Sequence, residues 1–260
     1  MFGAAKSEPS PNTPIVFGWK ALGQDNDSSP ACLKLETFLR ICKVDFETKH
    51  FQEHQMKGNP NKKVPYIHWS KLNDGKPMND STLIINALKT MDPITYDLDQ
   101  HLTAEQRAIG TAFKTMLEES TYFTGIMQAR WLCKEECDRV TVPLYFDFVP
   151  SLLRGLVGRQ VRNNLVRDCQ GQGTGILSNA QVLEKFKMEL MAVSEYLGEK
   201  PYLMGTKVTS FDATVYAYMA ILIQGDWSHE INQEARNCKN VVAYVDRMRK
   251  EFWPELQEKA

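Results

Sequence analysis

The sequence predicts a small α/β unit followed by an all-helical unit. Three observations carry this. Before residue 93, short β-prone runs alternate with helical ones. After residue 102, every apolar pattern has helical spacing. Three helix-start signatures, Thr103…Gln106, Ser178…Gln181 and Thr209…Asp212, each open a long apolar-periodic run.

The elements follow in order. Pro14 to Trp19 ("PIVFGW") is a first strand, and the polar loop Gly23 to Ser29 follows it. From Pro30 the period changes, with Cys32, Leu35, Leu39 and Cys42 at helical spacing. Proline suits a first helical turn, where no backbone N–H is needed. Val44 to Phe51 alternates as a second strand, a polar segment with room for a short helix comes next, and Val64 to Trp69 is a third strand. Asp74-Gly75 marks a hairpin turn into a short strand near Lys76–Met78. Asp80 to Met91 is helical, with Ile84, Ala87, Leu88 and Met91 on one face, and Pro93 stops it.

The organisation read from this is a disordered tail (1–13), an α/β domain (14–92), a linker (93–102) and a helical domain (103–260). Gly198 and Pro201 close one helix of the second domain and Pro254 closes the last.

Composition narrows the function classes. A formal net charge of −1 argues against nucleic acid as a partner. No apolar run reaches the roughly 18–20 residues of a membrane span. Ala213 to Ile223, the longest, reads as a buried core helix. The first residues carry no apolar leader core, and the six cysteines are scattered, so reduced thiols and a cytoplasmic location are expected. Cys133 and Cys137 share a helix face without a histidine nearby, so no metal is expected.

Four segments resemble cytosolic glutathione transferases. They are "NPNKKVPYI" (Asn59 to Ile67), "NDSTLII" (Asn79 to Ile85), "TSFDATVYAY" (Thr209 to Tyr218) and the β-α-β-(α)-β-β-α stretch as a whole, followed by its all-helical unit. Within that superfamily, "SPACLKLETFLR" (Ser29 to Arg40), "YLMGTKVTSFDATV" (Tyr202 to Val215) and "RMRKEFWPEL" (Arg247 to Leu256) are similar to the failed axon connections and metaxin group. One position departs from that group: Ile176 stands where a Gly-x-Gly-x-Gly-Arg motif has arginine.

The resemblance implies a thioredoxin-like domain joined to an all-α domain, with glutathione as co-substrate, no metal, and a homodimer as the family habit. It implies that Pro65 is cis, so that the backbone of Val64 meets the cysteinyl unit of glutathione in the manner of an added strand. It places the γ-glutamyl carboxylate at Asp80-Ser81, where free N–H groups and the helix dipole favour an anion. Capping alone is the competing reading for these two residues. Lys63 is the candidate partner of the glycyl carboxylate.

Ser29, one residue before Pro30, stands where a hydroxyl could donate to the glutathione sulfur and favour its thiolate. An ordinary N-cap is the equal alternative, and Ser28 competes for either role. Cys32, one turn further, reads as a buried, inert thiol. The acceptor site is expected between the domains, with Val142 to Asp168 as an apolar wall, a core-packing helix or a basic amphipathic helix on a membrane surface. The preferred reading is a glutathione transferase acting on an apolar electrophile; the alternative is a non-catalytic adaptor or membrane-surface protein.

Overall fold

The computed structural model describes residues 12–19, 28–50, 58–59 and 61–256. Most of the expected tail, most of the loop before Ser28, and the expected short helix after the second strand lie outside the described residues.

Four short strands make one mixed sheet: β1 (Ile15–Gly18), β2 (Glu47–His50), β3 (Tyr66–His68) and β4 (Met78–Asn79), in the order β2-β1-β3-β4. β1 runs parallel to β2 and antiparallel to β3, with Val16 opposite Ile67. A parallel neighbour needs a crossover, and helix α1 (Pro30–Ile41) supplies it. β4 is shorter and later than the sequence suggests. Its connection from β3 passes through one turn of 3₁₀ helix, Asn73–Gly75, whose three residues all have positive φ. Gly75, at φ 74°, adopts that conformation without steric cost, which lets the chain turn back. The Val64–Pro65 peptide is cis.

α2 (Ser81–Met91) follows β4, and the expected linker contains a four-residue helix, α3 (Pro93–Tyr96). The helical half comprises α4 (Ala104–Met116), α5 (Leu117–Leu132), the short α6 (Lys134–Glu136) and α7 (Val142–Tyr145), α8 (Ser151–Gln172), α9 (Asn179–Leu197), α10 (Ser210–Gln224), α11 (Glu230–Asn237) and α12 (Lys239–Phe252). All three predicted capping boxes form, at Thr103/Gln106, Ser178/Gln181 and Thr209/Asp212. The third lies in the core. Asp212 is fully buried, and its carboxylate accepts from Leu203 N (2.7 Å), Thr209 N (2.8 Å) and the Tyr244 hydroxyl (3.0 Å).

α4 runs without a break into α5, but α5 is wound more widely, in the π manner; at its end Cys133 N bonds Gln128 O, five residues back. This winding puts Tyr122, Ile126, Met127, Arg130 and Trp131 along one wall, at spacings an ordinary α-helix would spread apart.

One apolar core crosses the boundary between the halves. Leu33, Leu35, Phe38 and Leu39 of α1 join Val16 and Ile67 of the sheet with Val215, Tyr216 and Met219 of α10. Fully burying each such side chain contributes roughly 1.5–3 kcal/mol. A smaller cluster, including Met127, Trp131, Cys137, Phe146 and Cys169, packs under α8. At the C-terminal end, the Arg40 guanidinium sits 3.7 Å from the Trp253 ring centroid and donates to Phe252 O at 3.0 Å. Among the described residues no helix is long and apolar enough to cross a membrane.

Candidate functional site

A cavity of about 280 Å³ opens between the two halves. Trp19, Ser28, Ser29, Pro30 and Val64 line it from the sheet side. α5 supplies Tyr122, Ile126, Met127, Arg130 and Trp131, and the stretch around α7 and α8 adds Tyr145, Phe146, Val161 and Leu165. The predicted apolar wall from Val142 onward is therefore present, but α5 contributes the larger share.

The structure gathers three of the predicted site residues, Ser28, Ser29 and Val64, around this chamber. Ser29 caps α1: its φ and ψ of −90° and 124° are extended, and its Oγ accepts from Cys32 N at 3.5 Å. Ser28 is buried, and its carbonyl accepts from Arg130 Nη1 (2.8 Å) and from the Tyr145 hydroxyl (3.2 Å). Cys32 is fully buried, as expected.

The other four predicted site residues, Lys63, Pro65, Asp80 and Ser81, do not line the chamber. Asp80 caps α2 at φ 72°, with Oδ1 accepting from Thr82 N (2.9 Å) and Leu83 N (3.0 Å). Ser81 is buried at the first position of that helix. Lys63 is exposed; its carbonyl accepts from Asn59 Nδ2 (2.6 Å) and Asn79 Nδ2 (3.2 Å), which shapes the approach to the buried Pro65.

Sequence reasoning missed Lys34 and Arg130. Lys34 is buried, pairs with Glu118 of α5 and donates to Thr82 Oγ1 at 2.6 Å, tying α1, α2 and α5 together beside the Asp80-Ser81 turn. Burial, more than any neighbour, pulls its pKa below the usual lysine value. Its signal was a lysine between Leu33 and Leu35 inside an apolar run. Arg130, 4% exposed, donates to the Tyr145 hydroxyl at 2.6 Å, and its guanidinium lies 4.0 Å from the Trp227 ring centroid. Its signal was the flanking by Met127 and Trp131.

Burial also sets the ionisation of the nearby groups. It pushes the Tyr122 phenol up to about 12 and the Cys137 and Cys169 thiols up to about 11, so these remain protonated at neutral pH. Neither thiol is an activated nucleophile.

The model of the glutathione S-transferase N-terminal domain matches residues 30–137, and that of the glutathione S-transferase C-terminal domain matches residues 186–248. The isoprene-epoxide–glutathione S-transferase of Rhodococcus sp. (strain AD45) is 30% identical over 245 residues, covering 91% of this chain and 98% of that protein. Failed axon connections of Drosophila melanogaster is 27% identical over 88% of this chain, but the match spans only 56% of that longer protein. A glutathione transferase family member from Pseudomonas fluorescens, solved with two glutathione bound, superposes with a TM-score of 0.58 over 95% of each chain, at 12% identity. With a capped helix facing an interdomain chamber, both domain models in order and a near full-length relative, this chain belongs to the glutathione S-transferase family.

Proposed function

We propose that the chain is a glutathione-dependent transferase that adds the glutathione sulfur to a small apolar electrophile, an epoxide being the leading class. The observation that carries this reading is the chamber itself: the N-terminal cap of α1 opens directly onto an apolar cavity whose far wall belongs to the helical half. A thiol held at that cap sits where the helix dipole favours its anion, and the chamber beside it suits a partner without charge. The thiolate sulfur attacks an epoxide carbon, the C–S bond forms as the C–O bond breaks, and the released alkoxide takes a proton from water. Positioning and thiolate stabilisation supply most of the rate. Asp80, Ser81 and Lys63 are proposed contacts for the charged ends of the tripeptide, with Val64 pairing to its middle. The epoxide class rests on the name of the Rhodococcus relative.

Calorimetric titration with glutathione tests the reading, alongside epoxide conjugation followed by loss of free thiol. Binding at submillimolar to millimolar concentration that weakens in Ser81→Ala supports it. No detectable heat at millimolar glutathione overturns it.

One observation favours the adaptor reading. The outer face of α8 exposes Leu152 (93%) and Leu156 (62%) in line with the exposed Arg159 and Arg167, a pattern suited to an anionic membrane surface. Cosedimentation with anionic vesicles, lost in Leu152→Asp, is the result that supports this reading.

A further inference from the structure

Arg130 carries a full positive charge into the interior, where no carboxylate among the described residues pairs with it. It lies within α5 at 4% exposure, in the wall of the interdomain chamber. Among the described residues the groups that meet it are the Tyr145 hydroxyl at the end of α7, the Ser28 carbonyl before α1 and the face of Trp227, with Tyr122 two turns earlier in its own helix. Every one of these is neutral. Among the described residues no carboxylate lies within ion-pair distance of it. Burial lowers its pKa, but a guanidinium stays protonated at any physiological pH. A buried charge balanced only by dipoles costs several kcal/mol, most of which a bound anion recovers.

The position of this charge identifies the anion. Arg130 and Tyr145 both bond the carbonyl of Ser28, one residue before the Ser29 cap, and all four residues line one chamber. The remaining walls are apolar, so the electrophile brings no compensating charge. We infer that Arg130, oriented by Tyr145, is a positioning residue for thiolate formation: it holds the chamber at a positive potential that only the ionised sulfur of bound glutathione neutralises. This rests on the transferase reading above. The thiol proton leaves to bulk water, and no other bond changes in the step. Ser29, whose oxygen accepts from Cys32 N, then shares the stabilisation of the sulfur instead of carrying it alone.

The test is the pKa of the bound thiol, read from thiolate ultraviolet absorbance during a pH titration of the glutathione complex. Arg130→Met is expected to raise that pKa by one unit or more, cutting the ratio of thiolate to thiol at a given pH about tenfold per unit. Arg130→Lys, which keeps the charge but cannot hold both the Ser28 carbonyl and the Tyr145 hydroxyl in the same way, gives a smaller rise, as does Tyr145→Phe. Should Arg130→Met not fold, Arg130→Lys and wild type are compared with glutathione and with S-methylglutathione, which cannot ionise at sulfur. In wild type, glutathione affinity then rises with pH towards the thiol pKa while that of S-methylglutathione stays flat, and Arg130→Lys blunts only the rise. A bound thiol that titrates alike in wild type, Arg130→Lys and Tyr145→Phe overturns the inference, even if epoxide turnover falls. Binding with an unshifted thiol overturns the role of Arg130 alone, whereas no glutathione binding by wild type overturns the transferase reading with it.

Discussion

The indole Nε1 of Trp253 donates a 3.2 Å hydrogen bond to the hydroxyl of Thr37, in the middle of α1 and 216 residues earlier in the chain. Both side chains are buried. The C-terminal end of α12 is thereby fastened to the helix whose first turn faces the chamber.

Trp253→Phe should cost about 1–3 kcal/mol, through the lost donor and imperfect repacking, and Trp253→Ala about 3–5 kcal/mol. Urea unfolding midpoints measure both, with the larger loss in the alanine variant.

The two roles of Asp80 can be separated by substitution. Its oxygen caps α2 through Thr82 N and Leu83 N, and an asparagine oxygen accepts the same bonds. Asp80→Asn should therefore hold stability within about 0.5 kcal/mol, and Asp80→Ala should lose about 0.5–2 kcal/mol. If the carboxylate also meets the ligand's ammonium group, glutathione binding weakens several-fold in Asp80→Asn by calorimetry, at unchanged thermal stability.

Gly110 of α4 packs against the Phe211 ring of α10. A Cβ placed there comes within 2.4 Å of the Phe211 ring. Gly110→Ala should destabilise by about 1–3 kcal/mol despite its better helix propensity. Phe211→Leu in the same chain should recover part of the loss, and a double-mutant cycle in urea measures that coupling.

His229 gives the protein a pH dependence of known sign. Its Nδ1 accepts from Ile231 N at 3.3 Å to cap α11, which requires the neutral ring, and burial lowers its pKa below 6.5. Between the lowered folded value and 6.5 the unfolded chain binds more protons, so stability rises with pH across that window and levels off above it. Unfolding free energies at pH 5.5 and 7.5 should differ in wild type and differ less in His229→Asn, where the cap persists without titration.

Local signals were read well from the sequence because their physics is local. Each capping box needs only two residues three apart, and all three formed. Pro30, Pro93 and Gly198 bound their helices as proline and glycine chemistry requires. "Asp-Gly" predicts a tighter β3–β4 connection than the one that forms, since it does not reveal that Asn73 joins the turn with a positive φ of its own. The chamber was half legible. Val142 to Asp168 announced an apolar wall, but the π winding of α5 cannot be read from periodicity, and it decides which residues face Ser29. Lys34 and Arg130 escaped for one reason: charged residues are assigned to the surface unless a partner is visible, and here the partners lie 84 and 102 residues away in sequence.

The packing of α1 between the sheet and α10 limits how this architecture can be recombined. A fragment ending near Met91 would bare the α1 face that α10 covers, and a graft of either half onto a relative's counterpart would have to match that face side chain by side chain. The two halves are separable on paper at the linker, yet they are heritable only as a pair.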